Sequence, residues 1–156
     1  MTTFIALTAL LFLTGDQQAP PPAAPGPGSP ATYKSGEELL AALQAADGRG
    51  GMTSGAVSNT DQYRINLVRR VKPGAALAHA GNTELHYITE GAGTLITGGT
   101  IAKAAGGTAT IENGETRRVK KGDVILIPAS TPHWYKDIEG SITYLEVRFV
   151  APAARQ

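Results

Sequence analysis

The chain contains no cysteine. Disulfides, thiolate metal ligands and cysteine nucleophiles are excluded together, so any metal must be held through nitrogen and oxygen. An excess of charge of one sign is missing too: fourteen Lys and Arg stand against thirteen Asp and Glu, a formal charge of +1. Nucleic-acid binding needs a concentrated basic face, and this balance gives no reason to expect such a partner. The two basic clusters, Arg69-Arg70-Lys72 and Arg117-Arg118-Val119-Lys120-Lys121, read as solvated strand ends and hairpin turns. Aromatic residues make up only 6%, and histidine occurs three times. The apolar run Phe4–Leu13 is too short to span a bilayer as a stable helix. What remains, within 156 residues, is enough for one domain with a sizeable core.

That apolar run has the length of a signal-peptide core, so residues 1–19 are expected to be a signal peptide. Export to a periplasm or to the outside follows, without a stable membrane anchor. Residues 20–32 are rich in proline, alanine and glycine, and a stretch with few donors and no large side chains predicts an extended, disordered spacer. Residues 33–150 form the single domain, and 151–156 a tail. Ser35-Gly36-Glu37-Glu38 has the form of a capping box, and Leu39, Leu40, Leu43 and Ala46 recur at helical spacing until Gly48. One short helix is predicted there.

Beyond Gly50-Gly51 the periodicity changes to that of strands. Residues 62–71 alternate, with Tyr63, Ile65 and Leu67 on one face and Gln62, Arg64 and Asn66 on the other. Short β-prone segments follow at Ala76–His79, Glu84–Thr89, Thr94–Thr97, Thr100–Ala104, Thr108–Ile111, Thr116–Val119, Val124–Ile127, His133–Lys136 and Ile142–Val150. Turn signals separate them, among them Glu90-Gly91-Ala92-Gly93 and Glu139-Gly140. Many short strands with glycine-rich punctuation predict an all-β sandwich or barrel.

The histidines are placed informatively. His79 ends one segment, Glu84 and His86 leave the same face of the next, and His133 opens a later one after Pro132. A carboxylate on an otherwise apolar inward face needs a partner, and a metal drawing these groups together would supply one.

These residues sit in a pattern that resembles the cupin superfamily. Its first motif is a glycine, a His-x-His pair, a Glu and a later glycine. Gly74, Leu77-Ala78-His79, Glu84 and Gly91 occupy those places in this chain. Its second motif is matched by Gly122, Pro128, Ser130, His133 and Asp137. Three places depart from the pattern: Leu77 replaces the first histidine, Ser130 a glycine and Asp137 an asparagine. The resemblance spans roughly Val57 to Val150. It implies a double-stranded β-helix, the cupin jelly-roll barrel, with one short N-terminal α-helix ahead of it.

The resemblance further implies that His79, Glu84 and His133 hold a divalent metal ion: iron, manganese, nickel or zinc. Two histidines and a carboxylate with open positions form a known non-haem iron arrangement, which favours dioxygenase chemistry on a small molecule. A metal-dependent isomerase or lyase and a non-catalytic ligand-binding barrel stay open at this point. His86 faces the same cavity and is assigned either to acid–base catalysis or to the place left by Leu77. Tyr135 shares the face of His133 and is a candidate substrate contact, whereas Trp134 reads as packing. A homodimer through a sheet face is also implied, with Tyr144, Glu146 and Arg148 as a polar-aromatic candidate surface.

Overall fold

The computed structural model describes residues 22–45, 48–103 and 106–150. The leader 1–19 and the tail 151–156 lie outside the described residues. No helix among the described residues is long and apolar enough to cross a membrane. Helix α1 spans Gly36–Ala45. Its start is the expected reciprocal cap: the Glu38 amide donates to Ser35 Oγ at 3.1 Å, and the Ser35 amide donates to Glu38 Oε2 at 2.8 Å. The proline-rich stretch, read from the sequence as an extended spacer, meets the domain at one point. The Asp61 amide donates to the Pro22 carbonyl and the Ala24 amide to Asp61 Oδ1, both at 3.1 Å.

Among the described residues eight strands follow: β1 Met52–Asn59, β2 Tyr63–Arg70, β3 Asn82–Thr97, β4 Thr100–Ala102, β5 Thr110–Glu112, β6 Glu115–Lys120, β7 Val124–Ile127 and β8 His133–Val150. The main sheet runs β1-β2-β8-β3-β6, with β7 also on β3, and β4 and β5 form a separate ribbon. This is the expected all-β jelly-roll barrel with one short N-terminal helix. The interior of its polar end is arranged in layers by strand register. Val68, Tyr144 and Ile88 form one layer, Asn66, Glu146 and His86 the next, and Arg64, Arg148 and Glu84 the outermost. The first layer belongs to the buried apolar cluster with Leu95, Val119, Tyr135 and Ile142. A second cluster of Ala76, Ile96 and Ile111 packs with Trp134, whose indole N–H donates to the Gly74 carbonyl at 2.8 Å.

Three sequence expectations are corrected. Glu84–Thr89 and Thr94–Thr97 are one strand of 16 residues, and His133–Lys136 and Ile142–Val150 are one strand of 18. Gly91, Gly93 and Gly140, read as turns, lie instead inside these two long strands, whose pairing bends with register shifts at Ile88/Glu90, Gly91/Gly93 and Thr94/Leu95. A side chain at Gly91, where φ is +73°, would collide with the Ser141 carbonyl, so the strands approach there only because the residue is glycine. Ala76–His79 is not a strand but carries a single bridge, Leu77 to His133. Strand β1 has no counterpart among the expected segments. It is small and polar (Met52-Thr53-Ser54-Gly55-Ala56), and helix α1 covers it closely: a Cβ at Gly55 would lie 3.0 Å from that of Ala42.

Candidate metal centre

The three expected ligands reach one point from three different segments. Glu84 lies near the start of β3, His133 opens β8, and His79 sits in the loop before β3. Two backbone ties hold that loop in place. Leu77 and His133 exchange amide hydrogen bonds at 2.9 and 3.2 Å, and the Ser130 amide donates to the His79 carbonyl at 3.0 Å. Ser130 has φ +65°, the left-handed conformation that explains why the motif it fills carries glycine.

His79 Nε2 lies 3.5 Å from Glu84 Oε1, and His133 Nε2 lies 3.7 Å from the same oxygen. One ligand atom from each of the three residues falls within 4.8 Å of the others. These separations suit a shared ion: two donors about 2.1 Å from one ion are roughly 3.0–3.4 Å apart at octahedral or tetrahedral angles. Tautomer chemistry points the same way. His133 Nδ1 lies 3.1 Å from the Thr131 carbonyl, which can only accept, so Nδ1 carries the hydrogen and Nε2 presents its lone pair. That lone pair faces a carboxylate oxygen, an arrangement a cation relieves. His79 Nε2 is buried and has no hydrogen-bond partner.

Burial holds both imidazoles below their usual pKa, with the Arg148 charge adding to the effect at His79, so both favour the neutral, metal-binding form. Burial alone would raise the Glu84 carboxyl. The His86 hydrogen bond, with the charges of the histidines and Arg148, outweighs it and holds Glu84 below the usual range. The donor set therefore fits a divalent ion.

His86 and Tyr135 lie deeper, at 1% and 3% exposure. His86 Nε2 sits 3.2 Å from Glu84 Oε2 and its Nδ1 sits 3.1 Å from the Tyr135 hydroxyl. The ionised carboxylate accepts, so Nε2 donates to it and Nδ1 accepts from Tyr135. A line of donors thus runs from Tyr135 through His86 to Glu84. The His86 ring also packs against Tyr144, tilted by 32° with 4.5 Å between centroids, and Arg70 Nε donates to the Tyr144 hydroxyl at 2.9 Å. Glu84, His86 and Glu146 form a second, fully buried group with metal-ligand spacing. In it, however, both histidine nitrogens already have partners, and Glu146 takes hydrogen bonds from Arg148 at 3.0 Å and Asn66 at 3.3 Å.

A cavity of about 390 Å³ opens beside His79, lined also by Thr60, Asp61, Arg64, Asn82 and Arg148. His86 and Tyr135 do not line it. Tyr144, Glu146 and Arg148, offered by the sequence as a dimer surface, face the interior instead, because Arg148 pairs with Glu84 and Glu146 with His86 across β8 and β3. The outward face carries the apolar set instead, with Tyr87, Val124 and Leu126 at 42%, 62% and 61% exposure. Sequence reasoning missed Arg64, Glu146 and Arg148 as parts of this site. The available signal was the two-residue period of β8, which puts 144, 146 and 148 on one face without saying which.

The cupin-domain family profile matches residues 67–147. No curated protein matches the chain. Among solved structures, KdgF from Halomonas sp. aligns at 17% identity and TM-score 0.50, over 69% of this chain and 87% of that one. A predicted oxalate decarboxylase from Thermotoga maritima aligns at 16% identity and TM-score 0.50, over 64% and 81%. The Cnp3 cupin domain of Schizosaccharomyces pombe does so at 12% identity and TM-score 0.50, over 70% and 72%. At these identities the likeness is one of fold.

Proposed function

The chain belongs to the cupin-domain family, and from that premise we propose that it is a metal-dependent enzyme acting on a small molecule, of the non-haem Fe(II) dioxygenase type. One observation carries the reading: His79 Nε2, Glu84 Oε1 and His133 Nε2 converge with no hydrogen bond to other described residues, beside a cavity sized for a small molecule. A divalent iron on two histidines and one carboxylate keeps positions open for substrate and dioxygen.

The chain's own residues have separable tasks in this reading. His133 is locked in its tautomer by Thr131, Glu84 is aimed by His86, and Tyr135 fixes the His86 ring. Arg148 Nε, 3.5 Å from Glu84 Oε2, adds to the His86 hydrogen bond in keeping that carboxylate ionised. His86 and Tyr135 act as positioning residues.

Metal content measured by elemental analysis after anaerobic loading with Fe(II) tests the reading. The intact protein is expected to hold close to one ion per chain, and His79→Ala, Glu84→Ala and His133→Ala each to lose most of it. Full retention in the Glu84→Ala and His133→Ala proteins would overturn the ligand assignment. A loaded protein that consumes no dioxygen with any small-molecule substrate would overturn the dioxygenase class and leave an isomerase, a lyase or a binding protein.

A further inference from the structure

Arg64 and Arg148 stand directly opposite one another on β2 and β8. Directly opposed side chains leave the same face with Cβ atoms about 5 Å apart, and like charges so placed destabilise a sheet. Both arginines line the cavity that includes His79. Arg148 is partly neutralised, through Nη2 to Glu146 at 3.0 Å and Nε near Glu84 at 3.5 Å. Its Nε is nevertheless buried without a hydrogen bond, since 3.5 Å and the geometry there make only an ion pair. Arg64 is exposed and forms no ion pair among the described residues. The carboxylates at hand are Asp61, Glu84 and Glu146, and Glu84 is claimed by the metal in the reading above. A divalent ion with two guanidiniums outweighs these three carboxylates by one positive charge.

We propose that the cavity takes a small carboxylic acid, its carboxylate held between Arg64 and Arg148 and a neighbouring oxygen turned toward His79. The inference rests on the metal-dependent reading for the second contact only; the arginine pair selects an acid with or without an ion. Guanidinium suits this task because its planar fork matches a carboxylate with two parallel hydrogen bonds. Asn82 lies on the same wall and offers an amide to oxygen substituents. Thr60 Oγ1 already accepts from the amides of Gln62 and Tyr63 and Asp61 Oδ1 from that of Ala24, and the Gln62 and Tyr63 side chains that also line the cavity carry no positive charge. Specificity for the acid therefore falls on the arginines.

Ligand-observed NMR titrations of the full chain test this with three matched pairs: pyruvate and pyruvamide, lactate and lactamide, salicylate and salicylamide. Each is run metal-free and zinc-loaded, with zinc stoichiometry read separately by elemental analysis. At least one acid is expected to bind tenfold or more tightly than its amide. Arg64→Gln is expected to reduce that acid's affinity about tenfold and its amide's little, and Arg148→Lys to give a smaller loss, the charge being kept and the fork removed. No preference for acid over amide in any pair, or unchanged acid binding in Arg64→Gln, would overturn the proposal. Failure to take up zinc would instead count against the metal site, and acid preference in the metal-free protein would stand apart from it.

Discussion

Replacing Tyr135 with phenylalanine removes a single oxygen from the barrel interior and leaves the ring, its stacking on Tyr144 at 5.2 Å and its packing in place. The change isolates the hydrogen bond to His86 Nδ1. His86 is 1% exposed, so water cannot take over the vacated acceptor. An unsatisfied buried acceptor costs about 1–3 kcal/mol, and the expected loss of stability lies near the middle of that range. For a domain of this size it corresponds to a fall in Tm of roughly 5–10 °C.

The line of donors makes a sharper claim than the magnitude alone. Tyr135 and Glu84 share no hydrogen bond, yet both hold the same imidazole in the same tautomer. Urea denaturation of Tyr135→Phe, Glu84→Gln and the double variant is expected to show a coupling of at least about 0.5 kcal/mol. The coupling should vanish when His86 is replaced by leucine in all four proteins. Additivity within about 0.3 kcal/mol in the His86 background, or a Tyr135→Phe protein as stable as the parent, would refute the arrangement.

Two other outcomes follow from the geometry. Gly91→Ala is expected to destabilise by several kcal/mol more than Gly98→Ala: both have φ above +70°, but only at Gly91 would the new carbon strike backbone. Comparable Tm values for the two variants would show that the strands can part at Gly91 without cost. Burial pushes the Tyr144 hydroxyl up to about 12. A pKa raised in the folded state stabilises fully below the unfolded value near 10 and is lost as pH climbs toward 12. Stability should therefore fall through that window, more steeply in the parent than in Tyr144→Phe; parallel curves would contradict it.

The parts of this fold that were legible in sequence are those set by local chemistry. The Ser35–Glu38 cap needs only four consecutive residues, and it formed as expected. The ligand candidates His79, Glu84 and His133 were legible because a motif fixes their spacing around turns that the backbone demands, such as the left-handed residue at 130. What was misread depends on partners distant in the chain. Gly91-Ala92-Gly93 has the composition of a turn, and only the Ser141 carbonyl lying against it makes it a bend within a strand. Arg64 and Arg148 are separated by most of the domain and become neighbours through the β2–β8 register. The inward direction of Tyr144, Glu146 and Arg148 is likewise a choice between two faces of one strand, settled by pairing with β3.

The β3–β8 ladder carries a further implication. Glu84 pairs near one end of it, against Arg148, and His133 pairs at the other, against Thr97. Their side chains meet because the ribbon between these ends curls back on itself. Three register irregularities lie along that path, and each sets both how far the ribbon turns and which residues look inward. A slip of one residue reverses the facing of everything beyond it. The ladder is thus a gauge that sets the spacing of two side chains almost fifty positions apart in sequence. Length can vary in the excursion through β4 and β5, outside the measured span. Within the span, an insertion or deletion in one strand alone turns a ligand to the outside.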